Sequence, residues 1–184
     1  MFQPSALYRI IGISSDDLTN IYTDAEDILG TGTRLVNEQL FHAKSYPEMI
    51  QIVEFYLGNL IKKTKNNQHP VDIISKQMTE ENECYSLEGF IKKSFLCHRQ
   101  FDRKFLERVG IAPKQYLQVI RFDKAFRMKN RFPQKDWLTI ALHCGYYDYQ
   151  HLVKDYKEFT GYTPNQFLAI DNNASERTFG EREI

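Results

Sequence analysis

Phe105-Leu-Glu-Arg-Val-Gly-Ile-Ala-Pro-Lys-Gln-Tyr-Leu117 returns 51 positions later as Tyr156-Lys-Glu-Phe-Thr-Gly-Tyr-Thr-Pro-Asn-Gln-Phe-Leu168. Five positions are identical in the two stretches, among them the glycine and the proline at their centres. A repeat of this length indicates that one small structural unit is used twice. If one copy recognises one patch of an extended ligand, two copies recognise two patches.

The residues around the first copy predict two helices separated by a break. Ser86 is a candidate N-cap for a first helix with apolar residues at helical spacing, and a second helix is expected from His98 to Val109 after a break at residues 95–97. Gly110 can end that helix in the left-handed conformation. The pattern places Phe101, Phe105 and Leu106 inward and Arg99, Asp102, Arg103 and Arg108 outward.

The second copy predicts the same arrangement. Pro113 opens a long helix to about Arg131, a rigid connection between the copies. Asp136 caps a helix through His143, and Asp148 caps another to about Phe159. Gly161 stops it and Pro164 opens a last helix. The fold class is therefore mainly α, with two helix-turn-helix subdomains joined by a long linker helix and preceded by a small, mostly helical N-terminal segment.

The N-terminal part predicts a short strand region from Phe2 to Ile13 and then two helices, over Thr33–Ala43 and from Ser45 onward. In the second helix the apolar residues form one stripe, which consists of Ile50, Val53, Leu57, Leu60 and Ile61. The polar residues 62–69 suggest a boundary, and a further helix follows from Pro70 to Met78. We predict an N-terminal part at residues 1–66, a second domain at 70–170 and a polar, flexible tail at 171–184.

Charge is segregated along the 184 residues although the formal net charge is zero. Residues 1–85 carry a net −5, residues 86–170 a net +7 and residues 171–184 a net −2. A basic part between acidic parts indicates a polyanion as the partner of the repeats. The three cysteines are widely spaced and no apolar run reaches the ~18 residues of a membrane span, so we expect a reduced, cytoplasmic protein without a membrane segment.

A short helix, a tight turn and a second helix with a basic outer face are typical of a helix-turn-helix, whose second helix enters the major groove of DNA. The groove is about 12 Å wide and admits one helix. Two such units on a rigid helix suit two successive grooves about 34 Å apart on one face of the duplex. Double-stranded DNA is thus the expected partner.

The second unit carries the most specific motif of the chain. Its elements are Ile140-Ala141, Cys144-Gly145-Tyr146, Asp148, His151-Leu152, Lys154, Tyr156-Lys157, Gly161, Thr163-Pro164 and Phe167. In order and spacing they resemble the DNA-binding domain of the AraC/XylS family of bacterial transcription regulators. The first unit matches this family at Arg99-Gln100-Phe101, Arg103, Phe105, Gly110, Pro113 and Arg121, but Phe95 stands where the family has a glycine in the turn.

The resemblance implies which side chains meet DNA. In the first unit these are Arg99, Gln100, Asp102 and Arg103, and in the second they are Tyr149, Gln150, His151, Val153 and Lys154. Arginine can pair with guanine, glutamine with adenine, and aspartate with the amino group of cytosine. Lys104, Lys114, Lys135 and Lys157 are expected at phosphates, which position the protein without specifying sequence; a solvated surface charge is the alternative, and we favour it for Lys104 and Lys135.

Other chemistries are disfavoured. Cys97-His98 and His143-Cys144 do not complete a tetrahedral set, so we expect no metal and no cofactor. The chain contains no phosphate loop and no catalytic motif, so we expect no enzyme. A DNA-repair protein that uses such a domain for targeting is a further alternative, but the sequence lacks the cysteine-bearing catalytic modules of those proteins.

Many family members place a β-barrel that binds an effector before the DNA-binding domain. Residues 1–65 resemble only the end of such a module. The resemblance thus implies a remnant of a sensor or dimerisation module at residues 1–66 and a DNA-binding domain at 70–170. Either the chain is truncated or it has dispensed with a sensor, and we expect no small-molecule effector to bind it. The stripe in residues 45–63 either packs on its neighbours or forms a homodimer face. The alternative function is that of a truncated regulator that pairs with a full-length relative. RNA polymerase is a further candidate partner. The expected location is the cytoplasm, in association with the nucleoid.

Overall fold

The computed structural model describes residues 3–64, 68–80 and 86–172, and the described part contains eleven α helices, one 3-10 helix and no strand. The helices are α1 (Ala6–Ile11), the 3-10 helix (Asp16–Leu18), α2 (Ala25–Leu29), α3 (Gly32–His42), α4 (Tyr46–Lys63), α5 (Pro70–Glu80), α6 (Leu87–Ser94), α7 (His98–Val109), α8 (Pro113–Arg131), α9 (Trp137–His143), α10 (Tyr149–Thr160) and α11 (Pro164–Asn172). The predicted mainly α fold is confirmed. All but the first two residues of the predicted tail lie outside the described residues.

The strand region predicted from Phe2 to Ile13 is wrong, because Ala6–Ile11 forms the helix α1. Gly12 ends this helix with φ 81° and donates its N–H to the carbonyl of Tyr8. A short apolar run is compatible with a strand or a helix, and only its packing partner decides between them. Here the side chain of Tyr8 contacts Glu107 of α7, which favours the helical phase.

Two compact units make up the chain, and they meet in sequence at Pro113. The predicted boundary at residues 62–69 therefore does not coincide with this division and stays a prediction. The first unit contains α1 to α7, so the N-terminal segment packs with the first helix-turn-helix. The second unit contains nearly all of α8 together with α9 to α11.

The core of the first unit is formed by one face each of α5, α6 and α7. Its fully or almost fully buried side chains are Val71, Ile74, Met78, Phe90, Ile91, Phe101 and Phe105. The predicted placement of two α7 side chains is wrong: Arg108 is only 6% exposed, whereas Leu106 is 38% exposed. The reason is the helical period, since positions 101, 105 and 108 share the inner face and positions 99, 103 and 106 share the outer face.

The core of the second unit is aromatic. Tyr156 of α10 is fully buried and makes edge-to-face contacts with Phe122, Trp137 and Phe167 at ring-centroid distances of 4.7, 5.5 and 6.0 Å. Phe122, Trp137 and Phe167 lie partly buried against the cluster. Edge-to-face packing of this kind adds to the free energy of area burial. It fixes α10 against α8, α9 and α11.

The predicted caps are present. Ser86, Asp136 and Asp148 each accept a hydrogen bond from the backbone N–H three residues later. Gly110 and Gly161 end α7 and α10 in the left-handed conformation, with φ 93° and 78°. α8 is one continuous helix of 19 residues, as predicted. No described helix is both long and apolar enough to cross a bilayer.

Candidate nucleic-acid interface

In each helix-turn-helix, the second helix, α7 or α10, follows a turn that contains one left-handed residue. In the second unit this residue is Gly145, with φ 83°, and in the first it is Phe95, with φ 57°. The first turn therefore keeps the backbone conformation that glycine adopts freely, although this conformation costs a residue with a side chain about 1–2 kcal/mol. The ring of Phe95 contributes nothing to the core, since the residue is 95% exposed.

The outer face of α7 is a stripe of three exposed side chains at positions i, i+4 and i+7. They are Arg99, Arg103 and Leu106. Neither arginine forms an ion pair with any carboxylate in the described part of the chain. Because the opposite face of α7 is buried, the two guanidinium groups point to solvent and are available to an external anion.

The other predicted residues of α7 lie beside or away from this stripe. Gln100 is exposed next to it, and Asp102 is half-buried with Oδ2 3.1 Å from Nδ1 of His98. Lys104 lies elsewhere, because its Nζ is 3.0 and 2.7 Å from the two carboxylate oxygens of Glu107. Lys104 would reach a phosphate only by leaving this ion pair.

The outer face of α10 is an equivalent stripe. It consists of Gln150, Lys154 and Lys157, all exposed. These positions follow Arg99, Arg103 and Leu106 by the same 51 residues that separate the two sequence copies. Neither lysine pairs with a carboxylate among residues that the structure describes. The two recognition helices, α7 and α10, thus expose three equivalent positions each.

The remaining predicted residues of α10 flank its stripe. Tyr149 is half-buried against the core and Val153 is half-buried beside it. His151 is exposed, and both its backbone N–H and its ring Nδ1 lie 2.9 Å from Oδ1 of Asp148. Hydrogen bonds from the backbone and then the ring of His151 hold the pKa of Asp148 below its usual value. His151 is therefore held in place at the first turn of α10.

In a comparison with protein-family models, residues 92–170 match the model of a family described as a helix-turn-helix domain. These residues form an AraC-type helix-turn-helix domain. The match begins in α6 and ends in α11, so it spans both second helices and the linker helix. The resemblance to AraC/XylS-type regulators with a C-terminal helix-turn-helix domain is confirmed, and the protein is a DNA-binding transcription regulator. No curated protein and no solved structure matches the chain.

The AraC-type domain also contains positioning groups that the sequence did not indicate. In the second unit, Asp155 of α10 is buried and accepts a hydrogen bond from Gln118 at 2.9 Å, and Arg121 lies 4.0 Å away. The guanidinium of Arg121 also lies over the ring of Tyr146 at 5.1 Å. In the first unit the corresponding ion pair joins Arg108 of α7 to Asp72 of α5. The signal in the sequence was a charged residue, Arg108 or Asp155, at a position that the helical period places inward.

Proposed function

We propose that this protein recognises specific sequences in double-stranded DNA by placing α7 and α10 in successive major grooves. One observation carries the proposal: positions 99, 103 and 106 of α7 and positions 150, 154 and 157 of α10 are equivalent, exposed and unpaired within the described chain. A helix that enters the major groove contacts base edges with such a stripe.

The side chains of the two stripes suit different tasks. Arg103 and Arg99 can donate bidentately to O6 and N7 of guanine, and Gln150 can pair with N6 and N7 of adenine. Asp102 can accept from N4 of cytosine, although it would have to exchange its contact with His98. Lys154 and Lys157 suit phosphate oxygens, which add affinity that depends on salt rather than sequence.

The linker helix suits a bipartite reader. α8 has 19 residues and is therefore about 28 Å long at ~1.5 Å per residue. Successive major grooves on one face of a duplex lie about 34 Å apart. A helix is stiffer than a flexible linker, which would fix neither distance nor phase.

The test is selection of bound sequences from a random duplex library, followed by affinity measurements on the selected and on random DNA. Arg103→Ala and Gln150→Ala should each lose about 1–3 kcal/mol on selected DNA, relax one base position and bind random DNA almost unchanged. Lys157→Ala should weaken binding to all sequences alike and reduce the salt dependence. Equal losses of the two base-contact variants on selected and random DNA would contradict base recognition by these residues.

A second candidate function is favoured by the surface of α4. The apolar stripe is largely uncovered, since Ile50 and Ile61 are each 56% exposed and Val53 is 37% exposed. Large apolar residues exposed along one helix face are typical of an association surface. We therefore also propose that residues 45–63 mediate a homodimer or pairing with a full-length relative.

Sedimentation of the purified chain, alone and with DNA, separates the two functions. Ile50→Glu should abolish a dimer formed through α4, whereas Gln51→Glu, on an exposed neighbouring position, should leave it intact. A dimer without DNA affinity at low salt would favour the interaction function. A monomer that binds selected DNA would leave DNA recognition as the function and remove dimerisation through α4.

A further inference from the structure

The C-terminal end of α7 accepts hydrogen bonds from a distant part of the chain. The backbone N–H of Ser15 donates to the carbonyl of Glu107 at 2.7 Å, and its hydroxyl donates to the carbonyl of Arg108 at 3.0 Å. The hydroxyl of Thr19 lies within hydrogen-bond distance of two carbonyls, that of Gly110 at 2.9 Å and that of Ser15 at 3.0 Å. The last four carbonyls of a helix have no partner within the helix. In this helix, residues 15–19 supply partners for the carbonyls at its end.

The second unit meets the same requirement locally. The hydroxyl of Thr160, the last residue of α10, lies 2.6 Å from the carbonyl of Tyr156 and 3.4 Å from that of Tyr162. α7 has no hydroxyl at the equivalent position, which is Val109. Both recognition helices end at a left-handed glycine. The additional hydrogen bonds to their last carbonyls differ, since they come from Thr160 of α10 itself in the second unit and from the N-terminal segment in the first.

The two equivalent glycines show the same difference. A Cβ on Gly110 would lie 2.9 Å from Oγ1 of Thr19 and 3.0 Å from the carbonyl oxygen of Ser15. A Cβ on Gly161 would have no described atom within 4 Å. The backbone at Gly110 is therefore in close contact with the N-terminal segment, and a larger residue there would require residues 15–19 to shift.

Side chains extend this contact along the last turn of α7. The hydroxyl of Tyr8 donates to Oε1 of Glu107 at 2.7 Å, and the guanidinium of Arg108 lies 4.5 Å from the centre of the Tyr8 ring. Residues 107 and 108 are therefore held from both their backbone and their side-chain atoms. The exposed stripe that begins at Arg99 belongs to the same rigid helix.

We propose that residues 8–19 are a positioning element for the first recognition helix: they add hydrogen bonds at the C-terminal end of α7 and set its placement, although they lie far upstream of the family match. The inference rests on the proposed DNA-binding function for its consequence and on the hydrogen bonds above for its structural part. Thr19 and Tyr8 are positioning residues, which act on DNA only through α7.

The experiment uses the full chain with Thr19→Val, which removes the hydroxyl at nearly constant volume, and Thr19→Ser, which restores it. Thr160→Val is the matched control, because it removes the local hydroxyl at the end of α10. Two measurements are made: amide hydrogen exchange across residues 15 and 107–110, and affinity for the selected duplex and for versions substituted in each half-site. Arg103→Ala and Gln150→Ala identify which half-site each helix contacts.

Thr19→Val should accelerate exchange at residues 15 and 107–110 and lower affinity about three- to tenfold, the loss expected for one net hydrogen bond. The loss of base discrimination should be confined to the half-site that Arg103→Ala affects, Thr19→Ser should restore it, and Thr160→Val should affect the other half-site. Unchanged exchange, or accelerated exchange with undiminished discrimination in that half-site, would overturn the proposal. If the wild type selects no sequence, the DNA-binding proposal fails, while the exchange measurement still decides whether residues 8–19 hold α7.

Discussion

Arg108 donates two hydrogen bonds to Asp72, from Nε to Oδ1 at 2.6 Å and from Nη2 to Oδ2 at 2.7 Å. The side chains are 7% and 4% exposed, so the pair is buried between α7 and α5. The second unit joins its recognition helix to its first helix with the charges exchanged, since the carboxylate of Asp155 is on α10 and Arg121 is on α8. Each recognition helix thus makes a charged contact to another helix of its own unit, α5 in the first and α8 in the second.

Removing one partner of the buried pair should strongly destabilise the first unit. Arg108→Ala leaves the Asp72 carboxylate buried without its cation, and such changes cost about 3–5 kcal/mol. Unfolding in denaturant, followed by a probe in the first unit, measures the loss. Arg103→Ala is the control on the exposed face of the same helix and should change the free energy of unfolding by no more than about 0.5 kcal/mol. Similar effects of the two variants would show that the ion pair does not hold α7.

Acidification should destabilise the first unit in two steps, the first of which comes from His69. Burial and then the nearby charge of Arg108 lower the pKa of His69 from its ordinary 6.5. Its ring Nδ1 accepts the N–H of Val71 at 3.2 Å, which only the neutral ring can do. Because the folded pKa is the lower one, this stabilisation is complete above pH ~6.5 and is lost as the pH falls through the folded pKa. His69→Asn keeps an acceptor but does not titrate, so it should lack this step.

The second step of acid destabilisation comes from Asp72. Burial raises the pKa of this carboxyl, but the hydrogen bonds from Arg108 and from the backbone of His69 outweigh burial and leave it below 3.8. Its contribution is present above pH ~4 and is lost at lower pH. The free energy of unfolding, measured from pH 8 to pH 3 in wild type and His69→Asn, separates the two steps. A variant curve parallel to the wild type between pH 7 and pH 5 would contradict the assignment to His69.

The two helix-ending glycines should respond differently to the same substitution. Both Gly110→Ala and Gly161→Ala place a Cβ on a left-handed residue, which costs about 1–2 kcal/mol. Gly110→Ala adds a contact 2.9 Å from Oγ1 of Thr19 and should cost measurably more, because residues 15–19 must move. Thermal unfolding of both variants gives the comparison. Equal losses would mean that the N-terminal segment adapts freely to the added methyl group.

Glycine should be the better residue at the first turn. Phe95 adopts the unfavourable left-handed conformation, with φ 57°, and is 95% exposed, so packing of its ring does little to offset that cost. Phe95→Gly is expected to raise the free energy of unfolding by about 1 kcal/mol, the left-handed cost less the greater entropy of glycine in the unfolded chain. Phe95→Ala is the control that removes the ring and keeps the Cβ. If Phe95→Gly is no more stable than Phe95→Ala, the turn is not strained.

Local signals predicted most of the helices, and non-local contacts account for the errors. Ser86 and Asp148 are caps because their partners lie three residues away, so the sequence contains both halves of each interaction. Arg108 was assigned to the surface, since a charged residue is buried only when it is paired and Asp72 lies 36 residues earlier. The hydrogen bond from Thr19 to Gly110 joins residues 91 positions apart. No periodicity in either segment indicates that contact.

The third member of each stripe, at position i+7, provides the sharpest test of the equivalence between the recognition helices. This position is Leu106 in α7 and Lys157 in α10. If both helices lie in a major groove with the same orientation, Leu106→Lys should add one phosphate contact and Lys157→Leu should remove one. The slope of log Kobs against log salt should steepen by about 0.9 in the first variant and flatten by about 0.9 in the second. Binding to random duplexes is the measurement, because phosphate contacts do not depend on sequence. A salt slope that changes only with Lys157→Leu would mean that α7 contacts DNA differently from α10. The double variant exchanges the two side chains, and it should restore the wild-type slope only if the two positions are equivalent.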